Sequence, residues 1–319
     1  MNSNINNDNK VCFLIPIIEP HYKYLNFINN INSNYKFSIY FVSTTIIERE
    51  NLKIYLKRYK KNKIYKNLMH ICLEDNLLIK KYINDFNSKQ NGIINIKKLY
   101  GLYYLNKFFY KRFHYIAVID AEIMFIDLNN LYHKFKKFCS NKIIICGNVS
   151  ENKNINCVNV VERIHNNCLN FIKNTNHKSI INNETKNGYH YFWFSDIPIY
   201  NTKYLNNFFE YIEFNENEQK FKNFIKKMNF NTFDYVIYIY WCILRKHYRL
   251  ICMNNYNINR FWSLESSSYK IYKQVKNKIG YTTNMVIANC YNNNKNKFID
   301  NKPILIYHLN DPVSVYHGI

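Results

Sequence analysis

Four short runs of almost uninterrupted apolar residues set the strongest limit on what this chain can fold into: VCFLIPII (residues 11–18), FSIYFVST (37–44), the head of MHICLEDN (69–76) and YIAVID (115–120). Each has the length and the branched or aromatic content of a strand buried on both faces, the kind found in parallel sheets. Pro16 breaks the first run and leads into a loop at residues 19–21. Between the runs lie segments with helical spacing. YLNFINNI places Leu25, Ile28 and Ile31 on one side, and IIERENLKIYLKRY (46–59) is charged and amphipathic. NIKKLYGLYYLNKFFYKRF (95–113) repeats Leu99, Leu102, Leu105 and Phe109 at near-helical intervals, with its basic residues largely elsewhere. Strands alternating with helices predict an α/β fold, with a mostly parallel, Rossmann-like central sheet flanked by helices.

The regular alternation fades near residue 141. Beyond it the pattern offers strands at 142–146, 191–200 and 304–308 and helices at 204–214 and 233–246, while the polar stretches 215–220 and 292–297 read as loops. The polar start, residues 1–10, reads as a disordered tail. Residues 11–140 and 141–319 then form two halves of one domain, and no internal repeat is evident.

With 319 residues and 47% hydrophobic content, the chain can bury a sizeable core. Its Gly 6 and Pro 5 are few for that length, whereas Asn, Ile, Lys and Tyr are overused, the pattern left by AT-rich coding. The formal net charge of +22 therefore fits a phosphate-bearing partner, an anionic membrane surface, or simply abundant lysine codons. Basic residues are spread along the chain, with concentrations at 57–66 and 220–227 but no single basic arm. That distribution weighs against a dedicated nucleic-acid role and leaves peripheral contact with an anionic membrane open. Nine cysteines show neither a CxxC pair nor metal-ligand spacing with histidine, and their odd number argues against a complete disulfide framework. The start lacks the basic-then-apolar order of a secretory signal, and VCFLIPII and YVIYIYWCIL are too short to span a bilayer. A cytoplasmic location is expected.

The chemistry concentrates in FHYIAVIDAEIMFI (113–126), where Asp120 and Glu122 interrupt the most strand-like segment. Carboxylates are seldom buried unless paired or bound to a cation. In an extended segment residues two apart share a face, so the two acids converge while Ala121 leaves space on the other side. A divalent cation relieves their repulsion, and hard carboxylate oxygens suit Mg²⁺ or Mn²⁺, which often bridge substrate phosphates. The plainer alternative is that Asp120 caps the next turn and Glu122 is solvated.

KKLYGLYYL followed by FHYIAVIDAEIMFI resembles the segment of GT-A glycosyltransferases in which a helix leads to a strand closed by a DxD motif and a hydrophobic patch. The resemblance implies a GT-A fold, a nucleotide-diphosphate sugar donor, a Mn²⁺ or Mg²⁺ ion, and transfer to a hydroxyl acceptor on a glycan, lipid or protein. Residues 11–140 would hold the donor, and the more irregular 141–319 the acceptor. Asp120 would contact the ribose and metal side of the donor and Glu122 would ligate the metal; this chain has DxE where DxD is commoner, which keeps the charge and lengthens one arm. FLIPIIEPHYKYL resembles the family's first strand and nucleotide-contacting loop, which implies donor contacts around Pro16, Ile17 and Glu19, and VSTT after the second strand would do likewise. Lys98, with Lys97 beside it, matches a donor-contacting basic residue, the alternative being a solvated helix face.

In the second half, YFWFSDIPIYNTKYLNNFF resembles the acceptor-facing strand and helix, with Asp196 set among aromatics as a candidate to orient the acceptor hydroxyl. NTFDYVIYIYWCIL resembles the family's helix with an acid near its start. Asp234 is there either a helix N-cap or the general base. Near the C-terminus His308, with His317 second, resembles the late histidine that completes the metal site. The competing, non-enzymatic expectation is a basic module using its 18% aromatic content to stack on nucleic-acid bases; a transferase relic without turnover is the third.

Overall fold

The computed structural model describes residues 7–31, 36–87, 92–121, 123–125, 131–148, 155–187, 190–191, 198–252, 285–289 and 304–308. The chain forms β1 (Val11–Pro16), β2 (Ser38–Ser43), α1 (Ile46–Leu56), β3 (Leu68–Cys72), α2 (Leu77–Asn87), α3 (Ile93–Phe109), β4 (Tyr115–Val118) and β5 (Ile123–Phe125). It continues through α4 (Leu131–Asn141), β6 (Ile143–Asn148), α5 (Ile155–Leu169), α6 (Thr175–Thr185), β7 (His190–Tyr191), β8 (Ile199–Asn201), α7 (Thr202–Ile212), α8 (Glu218–Lys227) and α9 (Asp234–Leu244). Strands β9 (Arg249–Cys252), β10 (Met285–Asn289) and β11 (Ile304–His308) follow.

The four apolar runs supply four of the five central strands, in the order β3-β2-β1-β4-β8. The first four are mutually parallel, and β8 closes the edge antiparallel to β4. Every residue of β1 and β2 is buried, which is why those runs are continuous rather than alternating. Two smaller sheets, β10-β11-β5 and β7-β6-β9, accompany it.

Helix α3 lies unusually close to the sheet because of one residue. A Cβ at Gly101 would stand 2.7 and 2.8 Å from the Leu14 methyls and 2.9 Å from Cγ2 of Val42. Glycine costs about 1 kcal/mol relative to alanine inside a helix, so local propensity does not favour it here; the space does. Lys97 sits one turn earlier on the same face of α3. Gly101→Val is expected to cost about 3 kcal/mol by overpacking, read as a lower denaturation midpoint. An unchanged midpoint would show that the helix has room to retreat.

Several expectations need correction. Residues 19–21, read as a loop, already belong to a 3-10 helix over Glu19–Asn30 that takes up the helical spacing of the next segment, and Tyr22, Leu25, Ile28 and Ile31, spaced by three, are all buried. A three-residue repeat matches 3.0 residues per turn. Residues 7–10, read as part of a disordered tail, are ordered: Asn7–Lys10 is a 3-10 turn in which Asp8 is buried and accepts the backbone N–H of Tyr132 at 2.9 Å, capping α4 from a distant part of the chain. Residues 218–220, read as loop, begin α8, whose cap is the Asn217 side chain accepting from Lys220 N. The strand expected over 191–200 is two strands, β7 paired with β6 and β8 paired with β4. The stretch 292–297 lies outside the described residues.

Candidate active site

From β1 the sheet proceeds through β2 to β3 on one side, whereas β4 lies on the other, so the crevice beyond the carboxyl ends of β1 and β4 is the topological switch point. Open α/β sheets bind ligands there. The ladder runs one residue past β4, with Ile119 N donating to Leu14 O at 3.0 Å, and Asp120 follows immediately. Ala121 is buried in a bend. Asp120 therefore stands between β4 and β5, strands of different sheets, and not inside one extended strand as the spacing suggests. The two-residue rule for a shared face does not carry across that bend, and Glu122 lies outside the described residues.

Three charged side chains gather at this point. Lys98 reaches from the start of α3 to place Nζ 3.0 Å from Oδ1 of Asp120, with the two side chains 15% and 45% exposed. Lys98 is thus no solvated helix-face residue, and Lys97 still less, being wholly buried. Asp234 opens α9, near enough for the charges of Lys98 and Asp120 to act on it. It is 3% exposed and accepts a hydrogen bond from the hydroxyl of Tyr200 on β8. The N-cap position belongs to Phe233, which makes no side-chain cap, so the capping alternative for Asp234 does not hold. Burial pushes the Asp234 carboxyl pKa up, Lys98 and the Tyr200 hydroxyl pull it down, and the Asp120 charge adds to the rise. Burial likewise lowers the pKa of His21, against the pull of Asp120 and with the help of Lys97 and Lys23.

The loop after β1 differs from expectation in what it exposes. Pro16 and Ile17 are core residues, Pro16 in register with Val42, because β1 is covered on both faces up to its last residue. Glu19 is exposed at the start of the 3-10 helix. After β2, Thr45 caps α1: its hydroxyl accepts Glu48 N at 3.1 Å, while Oε2 of Glu48 accepts Thr44 N at 2.6 Å and Thr45 N at 3.4 Å. His308 is the last residue of β11 and lies in register with Ile123 of β5, beside the acidic bend in sequence. The side chain of His308, and Asp196 and His317 entirely, are outside the described residues. Among the described residues no group of three or more His, Cys, Asp or Glu side chains is arranged to hold a metal ion.

Sequence reasoning missed Tyr200, Glu48 and His21. The spacing of Thr45 and Glu48 signals a capping box, but nothing local says that Glu48 also faces Lys97; the partners of Tyr200 and His21 are set by tertiary contacts. A separate cavity of about 480 Å³, lined by Asn207, Glu210, Tyr211, Trp241, Arg245 and His247, lies toward the other end of α9 and shares no residue with the Asp120 cluster. No helix among the described residues is long and apolar enough to cross a membrane.

The chain is similar in structure to mouse xyloside xylosyltransferase 1 in its apo form, at 10% identity and a TM-score of 0.42, with 95% of this chain and 97% of that chain covered. It is also similar to the mannosyltransferase Ktr4p from S. cerevisiae, at 11% identity and a TM-score of 0.35, with 71% of this chain and 64% of that one covered. By their names both are glycosyltransferases. No family model and no curated protein matches the chain.

Proposed function

We propose that this protein is a metal-dependent glycosyltransferase that moves a sugar from a nucleotide-diphosphate donor to a hydroxyl acceptor. The observation that carries the reading is the placement of Lys98 and Asp120, paired at 3.0 Å, at the switch point together with a buried acid, Asp234. An anionic donor needs a cation on its diphosphate, and the acceptor needs a base whose proton affinity has been raised. Lys98 and Asp234 are those groups.

The half-exposed Asp120 carboxylate offers hard oxygen donors at the crevice, which suits Mg²⁺ or Mn²⁺. Asp120 with Glu122 and His308 would hold the ion, which when bound neutralises charge on the departing diphosphate. Lys98 then pairs with diphosphate oxygens, Asp234 takes the acceptor proton, and Tyr200, donating to that carboxylate, keeps it oriented. Asp196 is a second group for orienting the acceptor.

The test is a thermal-shift series with nucleoside diphosphates and their sugars, with and without Mn²⁺. A ligand at roughly one hundred times its Kd stabilises the native state by about 2.7 kcal/mol, and the shift is expected only when the ion is present. If none of the nucleotides raises the midpoint with Mn²⁺, the reading is wrong.

A further inference from the structure

Lys97 is the most completely buried charged side chain among the described residues, at 0% exposure. Its Nζ donates to the carbonyl of Ile17 at 2.7 Å and stands 3.6 Å from Oε2 of Glu48. Ile17 belongs to the loop after β1. The same Glu48 oxygen receives the N–H groups of Thr44 and Thr45, the loop after β2. A buried ammonium is unfavourable unless paired, and an apolar side chain of similar length would fill the same space without that cost. What the ammonium adds is a polar connection between the loop after β1, which borders the crevice, and its neighbour after β2.

We propose that Lys97 is a positioning residue of the donor site: its ammonium, held between the Ile17 carbonyl and the Glu48 carboxylate, fixes the spacing of the two loops against which the nucleotide lies. The nucleotide part rests on the glycosyltransferase reading; the connection itself does not. Gly101 sets the reach, because the close approach of α3 to Leu14 brings Lys97, one turn away, up to the end of β1.

Protonation gives an independent handle. Burial lowers the Lys97 pKa to about 8, opposed by Glu48 on α1 and by Cys72 at the end of β3. His21, which feels the Lys97 charge, and Cys72 titrate outside that region, the first lowered below 6.5 and the second raised above 9.0. A base with a lowered folded pKa makes its contribution to folding more favourable as pH rises from about 8 towards its unfolded value. Nucleotide affinity therefore weakens through pH 8 while stability does not, a divergence that a merely structural lysine would not produce.

The experiment uses the full chain as wild type, Lys97→Met and Glu48→Gln. Amide hydrogen exchange at Thr44 and Thr45 is expected to rise about tenfold in Lys97→Met, with β1 and β2 amides unchanged, and the Kd for UDP or GDP in Mn²⁺ to rise about tenfold with a smaller change in kcat. Glu48→Gln, which keeps an acceptor for the two amides but removes the charge, is expected to shift both readouts the same way by less, and serves alone if Lys97→Met does not fold. Unchanged exchange at Thr44 and Thr45 overturns the connection, and exchange raised throughout the sheet overturns positioning in favour of general stability. Local exchange that rises without any change in Kd overturns the nucleotide role. If wild type binds neither UDP nor GDP, the glycosyltransferase reading fails on its own, and the exchange result still decides the connection.

Discussion

Asp120→Asn is expected to remove the Mn²⁺-dependent gain in nucleotide affinity and to lower glycosyl transfer by roughly 10²–10³-fold, the scale on which one preorganised electrostatic group acts. Asparagine keeps the size and one oxygen acceptor, so the change isolates the charge. The same substitution breaks the ion pair with Lys98, but Asp120 is 45% exposed and exposed pairs contribute only about 0–1 kcal/mol. Activity and stability should therefore separate cleanly. Turnover near wild type, or a midpoint that collapses with it, would show that Asp120 is a surface or structural acid and not part of the donor site.

Asp234→Asn is expected to reduce turnover by roughly 10²–10⁴-fold, the range for loss of a positioned general base, while raising thermal stability. The sign follows from the raised folded pKa. A carboxyl whose pKa rises on folding contributes most below its unfolded value, and that contribution is lost as pH climbs through the folded one. As pH rises the wild type comes to bear the burial of an ionised acid among the ten buried residues of α9, and asparagine, still able to accept from Tyr200, does not. The gain in midpoint of the variant over wild type should widen from acid to neutral pH, and nucleotide binding should persist. Retained turnover would exclude Asp234 as the base and leave Asp196 as the acid to test next.

The central sheet was legible because a strand buried on both faces has little choice of residue, so β1 to β4 show up as apolar runs. Much of the rest was obscured by Asn and Lys. Asn217 illustrates the difficulty: asparagine favours loops and helix caps for the same reason, its side chain competing for backbone N–H groups, and the polar stretch around it hid the start of α8. The candidate site was legible in part. Lys98 and Asp120 stand out by their positions before and after β4, and Asp234 by its place at the start of an apolar helix. Lys97 could not be told from Lys98 in sequence, because which of two adjacent lysines turns inward depends on the rotation of α3. Tyr200 carries no signal, since its role is defined by an acid 34 residues away.

Gly101 has a bearing on how distant kin of this chain would be recognised. The chain has only 6 glycines, and this one stands where a methyl group meets three carbon atoms closer than 3 Å. Surface positions that accept any polar side chain diverge first, and a contact with no spare volume diverges last. A search built on the interval from the lysine pair through this glycine to the acidic bend would outlast one built on overall identity.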